Sequence, residues 1–197
     1  MTADAESDLG VEWMLAYQSG DERGFDRLVE HYSGRVWALL TRFLGPVSSR
    51  EDLVQEVFLR VIRSRSRYEP SARFSTWLYR IAFNVCVNER ERRLGRGPLF
   101  EGEPGVPQGA DWEDPRGLDP PAELERSDAV EAVRRAIAEL PERQRMALLL
   151  ARYEELSYDE IGAVLGSSEK AIKSMIHRAR ETLREKLAPF LQEEKTG

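Results

Sequence analysis

The sequence predicts an all-α protein made of two small helical domains joined by a flexible acidic linker. Apolar residues recur at helical spacing in both halves of the 197-residue chain, and no segment shows the period of two that strands require. Between the halves, Gly95 to Pro121 is rich in glycine and proline, lacks apolar periodicity and is typical of a linker. We therefore expect an acidic tail and the start of the first helix over 1–20, a first domain over 21–95, the linker over 96–125 and a second domain over 126–197.

The first domain begins with two amphipathic helices. The first is predicted from Asp21 to Leu44, where Gly45-Pro46 stops the apolar pattern. The second begins at Ser49, has Asp52 at the capping-box position and carries apolar residues along one side. Its other side is mixed and mainly acidic, with Glu51, Asp52, Gln55, Glu56 and Arg60. By itself, such a surface is typical of a face in contact with solvent.

The third helix, predicted from near Ser75 to about Arg93, has two apolar faces. One face is suited to docking on the other helices and contains Leu78, Ile81, Ala82 and Val85. The other, which we call the second stripe, consists of Trp77, Arg80, Phe83, Asn84 and Val87. A helix that is apolar on both sides is often simply buried, and this interpretation stays open.

Arginines on both sides of the third helix favour a nucleic-acid role for the second stripe. They are Arg60, Arg63, Arg65, Arg67 and Arg73 before it and Arg90, Arg92, Arg93 and Arg96 after it. Aromatic rings between arginines suit single-stranded nucleic acid, because the rings stack on unpaired bases while the cations follow the phosphates. The amide of Asn84 offers both a donor and an acceptor to the edge of an extruded base.

The second domain contains the pattern of a helix-turn-helix. Leu140-Pro141 opens one helix, Ser157 and Glu160 form a capping box that begins a short helix, and Gly166 ends it. After the turn Ser167-Ser168, a helix from Glu169 is expected to bury Ile172, Ile176, Ala179 and Leu183. Its outer face carries Lys170, Lys173, Ser174, His177, Arg178 and Arg180. Such a helix can lie in the major groove of DNA. An ordinary helical hairpin with a charged outer face is the alternative.

The net charge of −6 is unevenly distributed. Residues 1–20 have a balance of −4 and residues 96–125 one of −6, whereas residues 21–95 have +4 and residues 126–197 are neutral. The excess acid thus lies in the tail and the linker. The overall charge therefore does not exclude a nucleic-acid partner for the two domains.

The composition also disfavours several classes of chemistry. With Cys86 as the single cysteine and His31 and His177 as the only histidines, we expect no disulfide and no metal site. We find no catalytic or phosphate-binding motif, and we expect no enzyme and no cofactor. The longest apolar run, Met146 to Ala151, falls far short of the ~20 residues of a spanning helix, and the N-terminus lacks a secretory signal. We expect a cytoplasmic protein with no membrane insertion.

Five motifs, in order and spacing, resemble the extracytoplasmic-function (ECF) group of bacterial sigma factors. They are Asp52-Leu53-Val54-Gln55-Glu56-Val57-Phe58, the stretch from Phe74 to Asn84, Leu140-Pro141-Glu142-Arg143-Gln144-Arg145, the stretch from Leu156 to Ile161, and Lys173-Ser174 with His177-Arg178-Ala179-Arg180. The match covers nearly all of residues 15–190.

The resemblance implies three binding surfaces. Contacts with core RNA polymerase, through the clamp helices of its largest subunit, would come from Asp52, Leu53, Gln55, Glu56 and Phe58. Contacts with the minus-ten promoter element would come from Arg73, Trp77, Arg80, Asn84 and Arg90, with Trp77 and Arg80 in strand separation and Asn84 in capture of a flipped base. Contacts with the minus-thirty-five element would come from Ser168, Lys170, Lys173, Ser174, His177 and Arg178.

Further partners are implied by the same resemblance. They are the flap of core polymerase, promoter DNA in duplex and single-stranded form, and an anti-sigma factor, since no sensor domain follows the second domain. The linker would thread toward the polymerase active site. Family members often have glycine where Glu155 stands and arginine where Met175 stands. Two alternatives remain: a stand-alone helix-turn-helix regulator, which would leave the second stripe unexplained, and a helical protein-interaction adaptor.

Overall fold

A computed structural model describes residues 8–45, 50–97, 99 and 128–193. All regular elements in these ranges are helical, which confirms the expected all-α class. The predicted linker, apart from its first residues, the residues before Asp8, and Ser49 with its expected cap lie outside the described residues. The elements are α1 (Leu9–Ser19), α2 (Glu22–Leu44), α3 (Arg50–Arg63), a 3-10 turn (Arg65–Arg67), α4 (Phe74–Arg93), α5 (Asp128–Ala138), α6 (Glu142–Tyr153), α7 (Tyr158–Leu165) and α8 (Glu169–Glu193).

The chain divides into two compact units. Among the described residues, the first unit contains those up to Leu40 and those from Arg50 to Leu99. The second contains the last residues of α2, from Thr41, and everything from Asp128 onward. The domain limits expected over 21–95 and 126–197 stay a prediction.

The first unit contains a helix that the sequence pattern did not single out. Within residues 1–20, where we expected an acidic tail and the start of the first helix, Leu9–Ser19 forms the separate helix α1. Its buried residues are Gly10, Met14 and Tyr17, but apolar residues such as Leu9 and Leu15 are exposed, so the apolar residues of this segment do not mark a single face. Helix α1 contacts α4 and the 3-10 turn, so it is part of the folded unit.

The core of the first unit is built from the apolar faces of α2, α3 and α4. On α2, Leu28, Tyr32, Val36, Leu39 and Leu40 are buried, as the helical spacing predicts. Helix α3 buries Leu53, Val57, Phe58 and Val61 and packs against α4. Helix α4 is buried almost all round in its middle turns, from Ile81 through Val87.

In the second unit, α8 packs against α5, α6 and α7. The predicted capping box at the start of α7 is complete: Ser157 accepts from the Glu160 amide, and the Glu160 side chain accepts from the Ser157 amide. Gly166 ends α7 with φ 61°, a left-handed conformation that favours glycine. Helix α8 buries Ile172, Ile176 and Ala179 as expected, whereas Leu183 is only half-buried.

Candidate nucleic-acid interfaces

The outer face of α3 presents part of the residue set that the resemblance assigns to polymerase contact. Asp52 and Gln55 are exposed, and Glu56 is half-buried. The Glu56 carboxylate pairs with Arg60 at 2.7 Å and with Arg63 at 3.7 Å.

Two members of the same set lie on the inner side of α3. Leu53 is 9% exposed and Phe58 6%, and the Phe58 ring meets the ring of Phe25 edge-on with centroids 6.2 Å apart. Both side chains therefore support the helix from inside the unit. Of the five residues in this set, Asp52, Gln55 and Glu56 are the ones whose side chains a partner could reach.

The first part of the second stripe is accessible. Trp77 and Arg80 are half-buried, and Arg73, at the N-cap position of α4, is exposed. The Trp77 ring is held between Tyr68, with centroids 5.0 Å apart, and Phe74, with centroids 5.6 Å apart. Burial lowers the pKa of the Arg80 guanidinium. These three side chains can meet a ligand without rearrangement of the helix.

The second part of the stripe is not an open surface in this structure. Asn84 is 3% exposed, and Phe83 and Val87 are each 2% exposed. Within the described residues the Oδ1 atom of Asn84 is buried without a hydrogen-bond partner. A buried amide oxygen without a partner carries a desolvation cost. The interpretation of a helix buried on both sides thus holds for this part of α4, and a base can reach Asn84 only if the surrounding packing opens.

The first turn of α4 is held by a residue that the sequence pattern did not reveal. Asp8 Oδ2 accepts a hydrogen bond from the Phe74 amide at 2.8 Å, while its Oδ1 accepts from the Gly10 amide at 3.0 Å. Burial, together with the nearby Asp8 carboxylate, raises the pKa of Tyr32 and of Tyr68 to about 12. The contact joins residues 66 positions apart, so no local motif signals it.

At the other end of α4, the buried carboxylate of Glu89 pairs with two of the flanking arginines. Glu89 is 5% exposed and accepts from Arg92 at 2.8 Å and from Arg93 at 2.9 Å. Burial alone would raise the pKa of Glu89, but these hydrogen bonds and charges outweigh it and hold the pKa below its usual value. Arg90, in the predicted minus-ten set, is half-buried.

The outer face of α8 carries the predicted cations. Lys170, Lys173, His177 and Arg178 are exposed, and Ser174 is half-buried. Ser168 is exposed as well, but its Oγ accepts from the Ala171 amide at 3.3 Å and so caps the start of α8. Met175 is half-buried. The face matches what a recognition helix presents to the major groove.

Arg143, on α6, forms hydrogen bonds with the turn that precedes α8. The Arg143 Nη2 donates to the Leu165 carbonyl oxygen and to the Ser167 Oγ, each at 2.5 Å. At Gly162 an added Cβ would lie 2.6 Å from the Ser167 carbonyl oxygen, so a side chain there would force the turn away from α7. The Ser167 amide donates to the Gly162 carbonyl oxygen at 2.9 Å. The angle between α7 and α8 is thus set by backbone contact and by one half-buried arginine.

Among the described residues, no group of three or more histidine, cysteine or acidic side chains is arranged to hold a metal ion. No described helix combines the length and the apolar character needed to cross a membrane.

Two family models match the chain in the order of its two units. Residues 28–95 match Sigma-70 region 2, and residues 130–183 match Sigma-70 region 4. The first range contains α3 and α4, and the second contains α7 and the part of α8 up to residue 183, which together form the helix-turn-helix.

Curated relatives extend the match over most of the chain. The RNA polymerase sigma-H factor of Pseudomonas aeruginosa is 33% identical over 187 residues, covering 89% of this chain and 92% of the relative. The ECF RNA polymerase sigma-E factor of Escherichia coli is 34% identical over 181 residues, with the same two coverages. The ECF RNA polymerase sigma factor SigW of Bacillus subtilis is 33% identical over 178 residues, covering 86% of this chain and 92% of the relative.

Solved structures agree on the fold. CnrH, solved with the cytosolic domain of CnrY, has a TM-score of 0.65 at 24% identity and covers 94% of this chain and 99% of its own. The sigma factor RpoE of Bartonella quintana, solved with the anti-sigma factor NepR, has a TM-score of 0.59 at 23% identity and covers 83% and 96%. With relatives more than 30% identical over most of both lengths, the chain belongs to the ECF family of RNA polymerase sigma factors.

Proposed function

We propose that the chain, as a sigma factor, divides its work among three surfaces. The outer face of α3 docks on the clamp helices of core RNA polymerase through Asp52, Gln55 and Glu56. The start of α4 separates the strands of the minus-ten element with Trp77 and Arg80. Helix α8 reads the minus-thirty-five element in the major groove. The protein supplies binding and strand opening, with no catalysis of its own.

The observation that carries this proposal is the outer face of α8. Five cationic or titratable side chains lie exposed on it, at positions 170, 173, 177, 178 and 180, beyond a turn that Arg143 and Gly162 hold in place. Lysine and arginine at the edge of a recognition helix contact phosphates, whereas residues near its start reach base edges. We assign Lys173 and Ser174 to base edges and Arg178 to phosphate.

Asn84 fits a conditional role in this scheme. Its buried Oδ1 has no hydrogen-bond partner among the described residues, so an extruded base that displaced the neighbouring packing would satisfy an acceptor that is now unmet. The gain would offset part of the cost of unstacking the base. Base capture by Asn84 would then accompany DNA opening and not precede it.

The remaining partners follow from the family and the charge distribution. Solved sigma factors with this fold are bound to anti-sigma factors, or to a cytosolic domain of a partner, and we propose a proteinaceous inhibitor of the same kind for this chain. It would act in the cytoplasm by covering the polymerase and DNA surfaces. The flap of core polymerase is the proposed site for the second unit.

The three surfaces can be tested separately in one set of variants. Asp52→Ala with Gln55→Ala changes only exposed side chains of α3, so it should weaken binding to core polymerase, measured by fluorescence anisotropy, by about tenfold. Because Asp52 lies in the first turn of α3, we expect the melting temperature to fall slightly while the chain stays folded. Lys173→Ala with Arg178→Ala should leave core binding unchanged. In holoenzyme, that second pair should weaken promoter binding and lower the slope of log affinity against log salt by about 1 per lost phosphate contact.

A matched control is Glu51→Ala, an exposed acidic residue at the start of α3 that the resemblance does not include. It should bind core polymerase as the unaltered chain does. If the α3 pair left core binding intact, or if the α8 pair left promoter affinity and its salt dependence intact, the assignment of that surface would be wrong.

A further inference from the structure

A single carboxylate, that of Asp8, joins the starts of two helices that are far apart in sequence. Its Oδ1 accepts from the Gly10 amide in the first turn of α1, and its Oδ2 accepts from the Phe74 amide at the start of α4. We propose that Asp8 is a positioning residue for promoter opening, which fixes the first turn of α4 and so the ring of Trp77. The inference rests on the proposed role of α4.

The two hydrogen bonds need a carboxylate. The first amides of a helix have no partner within the helix, and a negative charge there is also favoured by the helix dipole. A carboxylate has two accepting oxygens, so it can serve two helix starts at once. An asparagine has one accepting oxygen and would place an NH₂ group against the other amide. Asp8 is therefore more than a local cap of α1.

Close packing transmits the position of α1 to the start of α4. At Gly10 an added Cβ would lie 2.7 Å from the Tyr32 hydroxyl oxygen and 2.8 Å from the Cβ of Phe74. Helix α1 thus meets the first residue of α4 with no room for a side chain between them. Any shift of the α1 start displaces Phe74 or opens a gap beside it.

The ring of Phe74 in turn packs against the ring of Trp77. Phe74 is fully buried and packs on Tyr32, with centroids 5.2 Å apart, on Tyr68 at 6.1 Å and on Trp77 at 5.6 Å. The Trp77 amide donates to the Arg73 carbonyl oxygen at 3.3 Å, the first hydrogen bond of α4. A loosened first turn would therefore let the Trp77 ring move. Strand separation requires the side chains at the junction of duplex and single strand to be held in the correct position.

The test compares two templates that differ only in the need for strand opening. Holoenzyme containing Asp8→Ala is assayed for initiation on a duplex promoter and on the same promoter with a mismatched minus-ten bubble. We expect initiation on the duplex to fall by about tenfold, the effect of losing roughly one cap, while initiation on the bubble stays within about twofold. Asp8→Asn, which keeps one accepting oxygen, should fall between Asp8→Ala and the unaltered chain.

The matched control is Asp21→Ala. Asp21 also lies at a helix start, but among the described residues its Oδ1 accepts only from the amide and Nε of Arg23 in the adjoining helix, both at 3.2 Å. We expect it to lower the melting temperature without changing the ratio of duplex to bubble initiation. The control thus separates general loss of stability from loss of position at α4.

Each outcome decides the proposal. A duplex-to-bubble ratio that falls for Asp8→Ala, or for Asp8→Asn if the alanine variant does not fold, supports it. An equal loss on both templates would show a purely structural role, and an unchanged ratio with unchanged rates would show no role; either result overturns the proposal. If the unaltered chain initiates on neither template, the proposed function fails instead.

Discussion

Glu155, in the loop between α6 and α7, has a left-handed backbone with φ 54°. That conformation costs a residue with a Cβ about 1–2 kcal/mol, whereas glycine adopts it freely. Relief of this strain stabilises the glycine variant, whereas the larger entropy of glycine in the unfolded chain offsets part of the gain. We therefore expect Glu155→Gly to raise the free energy of unfolding of the second unit by about 0.5–1 kcal/mol in total. Amide hydrogen exchange in α7 would measure this change.

The neighbouring Glu154 provides the control for that prediction. Its φ of −106° is ordinary, so Glu154→Gly relieves no strain and should lower the free energy of unfolding. Equal destabilisation by both substitutions would contradict the account. It would show that the left-handed backbone at Glu155 carries no measurable strain.

Glu89 gives the first unit a dependence on pH. Its pKa is lowered from 4.5 by hydrogen bonds from Arg92 and Arg93, so its contribution to stability is complete above pH 4.5 and is lost as the pH falls through the lower, folded-state pKa. We expect the unaltered chain to exceed Glu89→Gln in free energy of unfolding at pH 7 and the difference to shrink below pH 4.5. Tryptophan fluorescence in urea reports on this unit through Trp13, Trp37 and Trp77. A difference constant from pH 7 to pH 3 would contradict this.

At the scale of elements, Arg143 ties α6 to the turn between α7 and α8. Arg143→Met keeps the apolar stem but leaves the Leu165 carbonyl oxygen and the Ser167 Oγ without that donor. We expect a loss of about 1–2 kcal/mol in the free energy of unfolding of the second unit. Discrimination between matched and altered minus-thirty-five elements should also fall, because the start of α8 is less well placed.

The salt dependence separates this effect from a direct DNA contact. A residue that positions α8 should leave the slope of log affinity against log salt unchanged, whereas loss of a phosphate contact lowers it by about 1. Arg134→Met, on the exposed side of α5, is the control and should change neither discrimination nor slope. A lower slope for Arg143→Met would assign it to phosphate binding instead.

Elements with local signals were predictable from the sequence. The capping box of Ser157 and Glu160 and the stop at Gly166 depend on residues within a single turn, and the structure contains both. Helix α1 was not singled out, because its apolar residues do not lie on one face and because its cap, Asp8, shares its carboxylate with Phe74 across the fold. Burial of Asn84 also depends on what packs around α4, which helical spacing cannot specify.

At the scale of the molecule, the charges suit a protein that does not bind DNA alone. Ten excess negative charges lie in residues 1–20 and 96–125, while the first domain has a balance of +4 and the second is neutral. Phosphate neutralisation dominates non-specific affinity for DNA, and a neutral unit with cations on one helix face supplies little of it. The family membership explains how such a unit still reads a promoter, since core polymerase can hold the DNA beside it.

In-vitro transcription with core RNA polymerase tests this account most directly. Core enzyme is incubated with a genomic or randomised promoter library, with and without the chain, and start sites are mapped. The account predicts discrete start sites that appear only with the chain and share two upstream elements at a fixed spacing, together with weak binding of the chain alone to the same DNA. Absence of promoter-dependent initiation on addition of the chain would contradict it.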